Sequence, residues 1–420
     1  MNKRIVGSLL VGLIAVQAMA QESSTLSPYS QYGLGILADQ SLSTARGMGG
    51  LAYGVRNGRQ INMQNPASYS AVDSLTMIFD VGFSTRISNF KEGGKSVNAK
   101  TGSLDYAVAS FRLLKHVGLS AGIVPFSTIG YDYESRDKST STTELYTGDG
   151  GFSQVFLGLG WEFAKGLSVG FNMSYFWGDY EKAVGVQNDD GTVNIMSRTY
   201  STSISNWKLD LGAQWHQQLN ANNELTIGAT ASVGHKLHAT AEVKTLTTNT
   251  LTGVTLSPAA TTVENAFSLP WMFGVGASWV NKKSLTLGAD YSLQRWGALD
   301  YPVYDSRGNY SLLNNYYRDR HKVTAGGEWI PNPMGRKYYH QMRFRLGASY
   351  ATPYYKIKGS DGPSEFSLTA GLGLPISRSM VNISGQWIRS AASGYITENA
   401  FRINVGITFN ERWFAKWKVE

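Results

Sequence analysis

The stretch LSVGFNMSYFW, residues 167 to 177, contains the pattern that decides the fold. Apolar side chains occupy every second position from Leu167 to Trp177, and serine, glycine or asparagine fills most of the positions between them. Successive side chains of a strand point to opposite faces, so the stretch predicts a strand with one apolar and one polar face. LTIGATASV (225–233) and FRINVGITF (401–409) repeat the pattern.

Fourteen runs of this kind follow one another from residue 75 onward, and nothing between them resembles a domain linker. Runs of ten or more residues suit tilted strands that cross the hydrocarbon core of a membrane. The runs lie near residues 75–86, 102–114, 117–131, 150–163, 166–178, 199–217, 223–238, 265–280, 284–296, 316–330, 340–356, 363–376, 379–389 and 399–414.

The connections between the runs alternate in length. Short ones read LLKH, AKG, NKKS and SRS, and long polar ones cover residues 133–150, 179–198, 240–265 and 298–315. Short turns at one end and long loops at the other are typical of outer-membrane barrels. We therefore predict an all-β fold, a 14-stranded antiparallel transmembrane β-barrel. The alternative is a secreted soluble β protein, whose apolar faces would form a core.

The N-terminus has the pattern of a secretory signal peptide over residues 1–20. Lys3 and Arg4 precede an apolar run of residues 5–16, and Ala18-Met19-Ala20 forms a small-x-small cleavage site. The alternative, an N-terminal membrane anchor, would need a longer apolar run. With the barrel, this signal predicts localisation in the outer membrane of a Gram-negative bacterium. Contact with outer-membrane lipid and lipopolysaccharide follows from that location.

Composition narrows the function classes. Charged residues make up 16% of the chain, below the roughly 25% of soluble domains. The formal net charge is +8, but the basic residues are scattered and form no dense patch, so we expect no nucleic-acid partner. Cysteine is absent, so disulfides do not hold the fold.

Tryptophans near the ends of the runs suggest aromatic girdles at the two membrane interfaces, and charges on the polar face suggest a water-filled lumen. We expect Asp290 to lie near Lys322, and Glu328 near Arg343. These charges either contact a substrate or form a lattice that holds a plug in place. The tryptophans are Trp161, Trp177, Trp215, Trp279, Trp296, Trp329 and Trp413, and the charges are Lys208, Asp210, Asp290, Lys322, Glu328, Arg343 and Arg345.

A barrel of fourteen strands is too wide to be filled by its own short inward side chains. Residues 21–73 precede the first run and are rich in glycine, including the stretch ARGMGGLAYG at 45–54. Gly47, Gly49 and Gly50 allow a tight path close to the wall. Pro66, between Asn65 and Ala67, restricts the preceding residue to an extended shape. We predict a hatch over 21–73, a barrel over 74–416 and a periplasmic tail over 417–420. The alternative is a flexible periplasmic tail in place of the hatch.

ARGMGGLAYG, the NPA at 65–67 and fourteen runs together resemble the FadL-type family of outer-membrane transporters for hydrophobic compounds. SPYSQYGLG (27–35) and the final FNERWFAKW (409–417) are similar to a branch found in Bacteroidota. The resemblance implies a hatch inside the barrel, a hydrophobic small-molecule ligand and a lateral exit at a kink in the third strand. Relatives in that branch also include barrels that act in protein secretion or assembly.

The third run contains Pro125, which cannot donate a hydrogen bond to the strand ladder. We predict a lateral gate over Val124, Pro125, Phe126 and Ser127. The alternative is a proline at an ordinary bulge, since Pro270 and Pro353 also lie in or beside runs.

The sequence offers no enzyme, metal or cofactor site. His235 and His238 are three residues apart in a predicted strand, so they lie on opposite faces. NDDGT (188–192) is a calcium candidate, but it is also an ordinary turn sequence.

Passive uptake of hydrophobic small molecules, similar to long-chain fatty acids, is the leading prediction for the function. The first alternative is an accessory barrel in a protein secretion or assembly complex, with other outer-membrane proteins as partners. A structural, porin-like barrel is the second. An apolar cavity above the hatch would favour uptake, whereas exposed apolar side chains on the loops would favour a protein partner.

Overall fold

Fourteen antiparallel wall strands form one closed sheet in the computed structural model, which describes residues 26–137, 139–257, 260–305 and 308–412. Each strand pairs with its sequence neighbours, and β1 pairs with β14 to close the wall. This confirms the predicted 14-stranded barrel. The wall strands are β1 (Thr76–Glu92), β2 (Lys95–Leu114), β3 (Val117–Asp137), β4 (Thr142–Ala164), β5 (Leu167–Asn188), β6 (Ile195–Asn220), β7 (Asn223–Ser232), β8 (Met272–Asn281), β9 (Leu285–Gln294), β10 (Arg320–Trp329), β11 (Arg343–Ala351), β12 (Ser364–Ile376), β13 (Ser379–Ala391) and β14 (Thr397–Arg412).

The apolar face of the strands points outward. On β5, Leu167, Phe171 and Tyr175 are 40 to 54% exposed, whereas Ser168 and Asn172 on the inner face are 2% exposed. In a soluble protein the apolar face would be buried in a core and the polar face would be exposed. The outward side chains therefore form an apolar belt around the barrel.

Two stretches predicted as long loops are largely strand, so this prediction was wrong. Residues 133–150 belong mostly to β3 and β4, and residues 179–198 mostly to β5 and β6. These extensions lie beyond the apolar belt, where strand pairing does not require an apolar outer face. The alternation that revealed the other strands is consequently missing here. Similarly, β1 and β2 continue to a tight turn at Gly93 and Gly94.

The long-loop end carries further short elements. They are the strands His235–Leu237, Ala241–Thr248, Thr255–Leu256, Thr261–Val263, Phe267–Leu269, Tyr301–Tyr304, Tyr310–Leu313, Lys356–Ile357 and Ser360–Asp361, and the 3-10 helix Trp296–Ala298. Ala241–Thr248 extends the wall by pairing with β6. At the opposite end the connections are short turns, except that the connection 330–342 is longer and contains a helical turn, α2 (Tyr338–Gln341). No helix within the described ranges is long and apolar enough to cross a membrane.

Residues 26–75 pass through the barrel lumen before β1 begins, and we call this segment the hatch. It contains a 3-10 helix (Pro28–Gln31), a strand (Ile36–Leu37), the helical turn α1 (Ser43–Arg46) and a second 3-10 helix (Pro66–Ala71). Wall glycines let it approach closely. A Cβ at Gly118 would lie 1.9 Å from the Tyr69 carbonyl oxygen, and one at Gly228 would lie 1.8 Å from that of Tyr53.

Some predictions fall outside the described residues: the signal peptide (1–20), the start of the hatch (21–25), the end of the barrel with Trp413 (413–416) and the C-terminal tail (417–420). The prediction that Trp296 lies in an aromatic girdle was wrong. Its side chain is fully buried, because the 3-10 helix after β9 turns it into the lumen. Trp161, Trp215 and Trp329, which lie at the short-turn end, are 43 to 51% exposed.

Candidate functional site: the hatch and the lumen

Asn65 joins the hatch to the wall. Its Nδ2 donates to the carbonyl oxygens of Tyr53 (2.9 Å) and Ala213 (3.1 Å), and its Oδ1 accepts from the Ala67 amide at 3.2 Å. Pro66 begins the second 3-10 helix, where its missing N–H costs nothing. Asparagine at this position thus caps the helix and binds β6 at the same time.

The three predicted hatch glycines follow α1. Gly49 and Gly50 have positive φ (76° and 91°), and a Cβ at Gly49 would meet the backbone of Ala348 at 3.0 Å. Gly47 keeps an ordinary φ of −63°, and its carbonyl oxygen accepts from Thr369 Oγ1 at 3.2 Å. The turn after α1 therefore lies directly against β11 and β12.

Asp290 binds the hatch backbone. Its Oδ2 accepts from the amides of Ala52 (2.6 Å) and Tyr53 (3.0 Å). Among the described residues no ion pair within 4 Å joins Asp290 to Lys322, the neighbour expected from the sequence. Lys322 lies towards the hatch residue Asp39. Burial raises the pKa of the Asp39 carboxyl, but nearby Lys322 and Arg46 outweigh burial and hold that pKa at about 2.

Two further groups of predicted luminal charges lie together. Glu328 accepts from Arg343 Nη1 at 2.9 Å and from Arg345 Nε at 2.7 Å, and Arg345 also donates to Asn382. Lys208 pairs with Asp210 at 2.5 Å, two positions away on the same face of β6. These charges bind one another inside the wall, as a structural lattice requires.

One strongly buried group of ion pairs was not among the predicted site residues. Arg46 of α1 pairs with Asp105 of β2, and Arg402 of β14 contacts the same carboxylate at 2.8 Å. The side chains of Arg46 and Asp105 are 3 and 4% exposed. Asp80 of β1 accepts from Tyr106, Thr408 and Ser43. Asp80 and Arg402 lie in phase with the other inward positions, so the same alternation could have identified them. Asp105 lies at a β-bulge next to the buried Tyr106, and alternation alone does not predict that it points inward.

The predicted gate residues lie where the wall opens. Pairing between β2 and β3 runs only from Ala107 opposite Ile123 to Leu114 opposite Val117. Beyond that point β2 pairs with β1 and β3 with β4, and the β3–β4 register shifts between Pro125 and Ser127. Pro270 lies before β8 begins and Pro353 lies after β11 ends, so neither interrupts a wall strand.

The hatch covers the free edge of β3. Its strand Ile36–Leu37 pairs with Thr128 and Ser127, the Ala38 amide donates to Phe126 O at 2.8 Å, and Gln40 Nε2 donates to Pro125 O at 2.6 Å. Val124, Phe126 and Ser127 are buried. A luminal strand thus replaces the missing wall neighbour.

A cavity of about 360 Å³ lies between this hatch strand, the edge of β2 and the far wall. Its lining is rich in charge of both signs. The charged lining residues are Asp39, Arg46, Arg86, Asp105, Asp132, Asp149, Arg320, Lys322, Glu365 and Arg402. It is the cavity beside the predicted gate, and its walls suit water and polar groups.

A hydrophobic core occupies much of the long-loop half of the lumen, and we call it the tyrosine-rich core. Its rings pack closely: Phe126 and Phe176 lie 5.1 Å apart edge to face, and Tyr301 stacks on Tyr316 at 4.2 Å. Its largest members are Tyr29, Phe126, Tyr131, Phe152, Phe176, Tyr180, Phe267, Trp296, Tyr301, Tyr310, Tyr317, Tyr354 and Tyr355. The core joins the hatch, the wall extensions and the long loops.

Lys182 binds the backbone of the first part of the hatch, next to this core. Its Nζ donates to the carbonyl oxygens of Gln31 (2.9 Å) and Gly33 (2.8 Å), and it lies 4.4 Å from the Tyr180 ring centre. The position lies beyond the apolar belt, since the outward neighbours on β5 are Asp179 and Glu181. Burial lowers the pKa of Lys182 from 10.5 to about 7.

The short-turn half of the lumen is open by contrast. A cavity of about 1210 Å³, which we call the vestibule, extends from hatch residues 55–60 to the short-turn ends of the wall strands. The hatch therefore separates an open, polar half from a half that is packed largely with aromatic side chains.

The calcium candidate forms an ordinary turn. Asn188 Oδ1 accepts from the Asp190 amide, and Asp190 Oδ1 accepts from the amide and hydroxyl of Thr192. Among the described residues no group of three or more histidines, aspartates and glutamates lies close enough to hold a metal ion.

Comparison with known proteins gives one family and a set of similar structures. The family model described as BamG matches residues 1–420. No curated protein matches the chain.

The Pseudomonas putida toluene transporter TodX has a TM-score of 0.63 at 14% identity, over 92% of this chain and 100% of that one. The Ralstonia pickettii toluene transporter TbuX gives 0.60 at 16%, over 87% and 97%. A Pseudomonas aeruginosa FadL homologue gives 0.56 at 11%, over 89% and 98%. These similar structures confirm the FadL-type fold that the sequence predicted.

Proposed function

The chain belongs to the BamG family. We propose that it is an accessory barrel subunit of an outer-membrane protein secretion or assembly complex. The aromatic packing in the long-loop half of the lumen carries this proposal. The tyrosine-rich core occupies the long-loop half and the hatch occupies the middle. Short turns of outer-membrane barrels face the periplasm. The vestibule then opens to the periplasm, and the tyrosine-rich core faces the exterior.

The cavity above the hatch argues against a hydrophobic ligand as the main cargo. Its walls carry ten charged residues, including Arg46, Asp105 and Arg402. An apolar molecule there would desolvate these groups without offering hydrogen bonds, which is unfavourable. Ligand pockets for such molecules are mostly apolar.

The long loops favour a protein partner. Leu251, Val254 and Leu256 are 73, 56 and 66% exposed near the tip of the loop between β7 and β8. Exposed apolar side chains that lie together commonly mark interaction sites. On this proposal they contact other outer-membrane proteins, while the apolar belt contacts outer-membrane lipid and lipopolysaccharide.

Depletion of the protein in its host tests the accessory role. We expect the amounts of several unrelated outer-membrane barrels to fall together, measured by quantitative proteomics of purified outer membranes. Re-expression of the wild-type chain should restore them. Unchanged barrel levels, with a selective defect in growth on a hydrophobic carbon source, would contradict the proposal.

Uptake of hydrophobic compounds similar to long-chain fatty acids, with lateral exit, is a second candidate, and the wall opening at Pro125 favours it. The structural similarity to the toluene transporters TodX and TbuX agrees with this candidate. A Pro125→Val variant, which allows regular pairing, should slow uptake of a fluorescent fatty acid into cells. Pro353→Val, outside the wall strands, is the matched control. Equal uptake in both variants and wild type would count against lateral exit.

A further inference from the structure

The vestibule carries an excess of positive charge. Six cationic and three acidic residues line it. The cations are Arg56, Arg59, Arg112, Lys283, Arg343 and Arg378, and the acids are Asp73, Glu224 and Glu328.

Half of these cations have local partners. Arg56 pairs with Glu162 at 3.1 Å, Arg343 with Glu328 at 2.9 Å and Arg59 with Asp73 at 3.3 Å. Within the described part of the chain, the other three, Arg112, Lys283 and Arg378, have no ion pair within 4 Å. The buried Nε of Arg112 also lacks a hydrogen-bond partner in the structure.

The size of the vestibule points to a polypeptide rather than a small molecule. Its volume of about 1210 Å³ exceeds the roughly 300–1,000 Å³ of small-molecule pockets. The connection 330–342 contributes Pro333 and Met334 to the lining, and Met334 is 93% exposed. An extended segment that entered here would meet an apolar side chain at the rim and cations inside.

We propose that the vestibule binds an acidic, extended segment of a periplasmic partner protein, with Arg112, Lys283 and Arg378 as its charge contacts. The inference rests on the proposed accessory role and assigns it a docking site. Complementary charge steers association and makes it dependent on ionic strength. The hatch closes the inner end, so the segment docks without crossing the barrel.

Lysines on other short turns provide a matched control. Lys115 and Lys165 have the same charge at the same end of the barrel, but neither lines the vestibule. Their positions suit contact with the headgroups of the membrane surface. They therefore distinguish binding inside the vestibule from attraction to the basic end of the barrel.

The test is fluorescence anisotropy with a labelled peptide of alternating glutamate and serine, added to the full-length barrel in a non-ionic detergent. We expect salt-sensitive binding to wild type, about tenfold weaker binding to Lys283→Glu/Arg378→Glu, and unchanged binding to Lys115→Glu/Lys165→Glu. A glutamine–serine peptide should not bind. Heat-modifiable mobility on gels confirms that each variant is folded.

Equal binding to all variants, loss of binding only in Lys115→Glu/Lys165→Glu, or no binding to wild type would overturn the proposal. Co-purification of the wild-type barrel with other outer-membrane proteins is measured in parallel. If partners co-purify but the peptide does not bind, the docking site is wrong and the accessory role stands. If the peptide binds as expected but no partner co-purifies, the site stands and the accessory role fails.

Discussion

The two halves of the lumen differ in what fills them. In the long-loop half, aromatic side chains from the hatch, the wall and the loops form one hydrophobic core in which Trp296 is fully buried. In the short-turn half, the vestibule of about 1210 Å³ remains open and charged. A through-channel would need a route in both halves. The difference indicates a barrel that is packed more tightly in its long-loop half than in its short-turn half.

The ion pair between Arg46 and Asp105 joins the hatch to the wall between the two halves. Its loss should cause the largest decrease in the free energy of unfolding. Asp105→Asn leaves the buried guanidinium of Arg46, and that of Arg402, without their shared carboxylate. Breaking a buried pair in this way costs about 3–5 kcal/mol. We expect a loss of that size in the free energy of unfolding, measured by urea titration in detergent micelles.

The exposed pair between Arg59 and Asp73 is the control for that experiment, because its side chains are 74 and 48% exposed. Asp73→Asn should cost less than about 1 kcal/mol. Similar losses for the two substitutions would show that the buried pair does not hold the hatch.

A substitution that pushes the hatch away from the wall should cause the next largest loss of stability. Gly118→Ala places a Cβ 1.9 Å from the Tyr69 carbonyl oxygen, so the second 3-10 helix must shift. Overpacking of this kind costs up to about 3 kcal/mol. We expect lower stability and greater sensitivity of cells to large antibiotics. Gly102→Ala, whose Cβ has 3.9 Å of clearance, should change neither; equal effects would contradict the close contact.

The smallest expected effect concerns the attachment of the hatch in the long-loop half. Because the pKa of Lys182 is lowered from 10.5 to about 7, the native state binds fewer protons than the unfolded chain between those values. The free energy of unfolding should therefore rise with pH in that window, by about 2 kcal/mol between about pH 7 and about pH 9.

Lys182→Met removes the titrating group, so the variant should lose this part of the rise. Urea titrations of wild type and variant across the same pH series measure the difference. Parallel curves for the two proteins would show that Lys182 is not buried in the folded state.

The sequence predicts the wall well, because lipid on one side and a polar lumen on the other impose alternation on β5, β7 and β14. It does not predict the extensions of β3 to β6, because water on both sides removes that pattern. It also places Trp296 wrongly. Its position next to β9 suggests a girdle, but a short helix turns it inward.

The contacts of the hatch are also only partly predictable from the sequence. ARGMGGLAYG and NPA indicate a tight path near the wall, but not which wall residues receive it. Arg46 and Asp105 are 59 positions apart and meet only once the barrel has closed. Likewise, the sequence places Asp290 near Lys322, but it does not reveal that the carboxylate accepts from backbone amides of the hatch. Contacts to backbone leave no trace in side-chain patterns.

Native mass spectrometry of the protein, extracted from its own outer membrane in mild detergent, tests the central claim most directly. The accessory role predicts a stoichiometric complex with other outer-membrane proteins and no small molecule retained in the lumen. A monomeric barrel that carries an amphiphile of a few hundred daltons would contradict it and favour uptake of hydrophobic compounds.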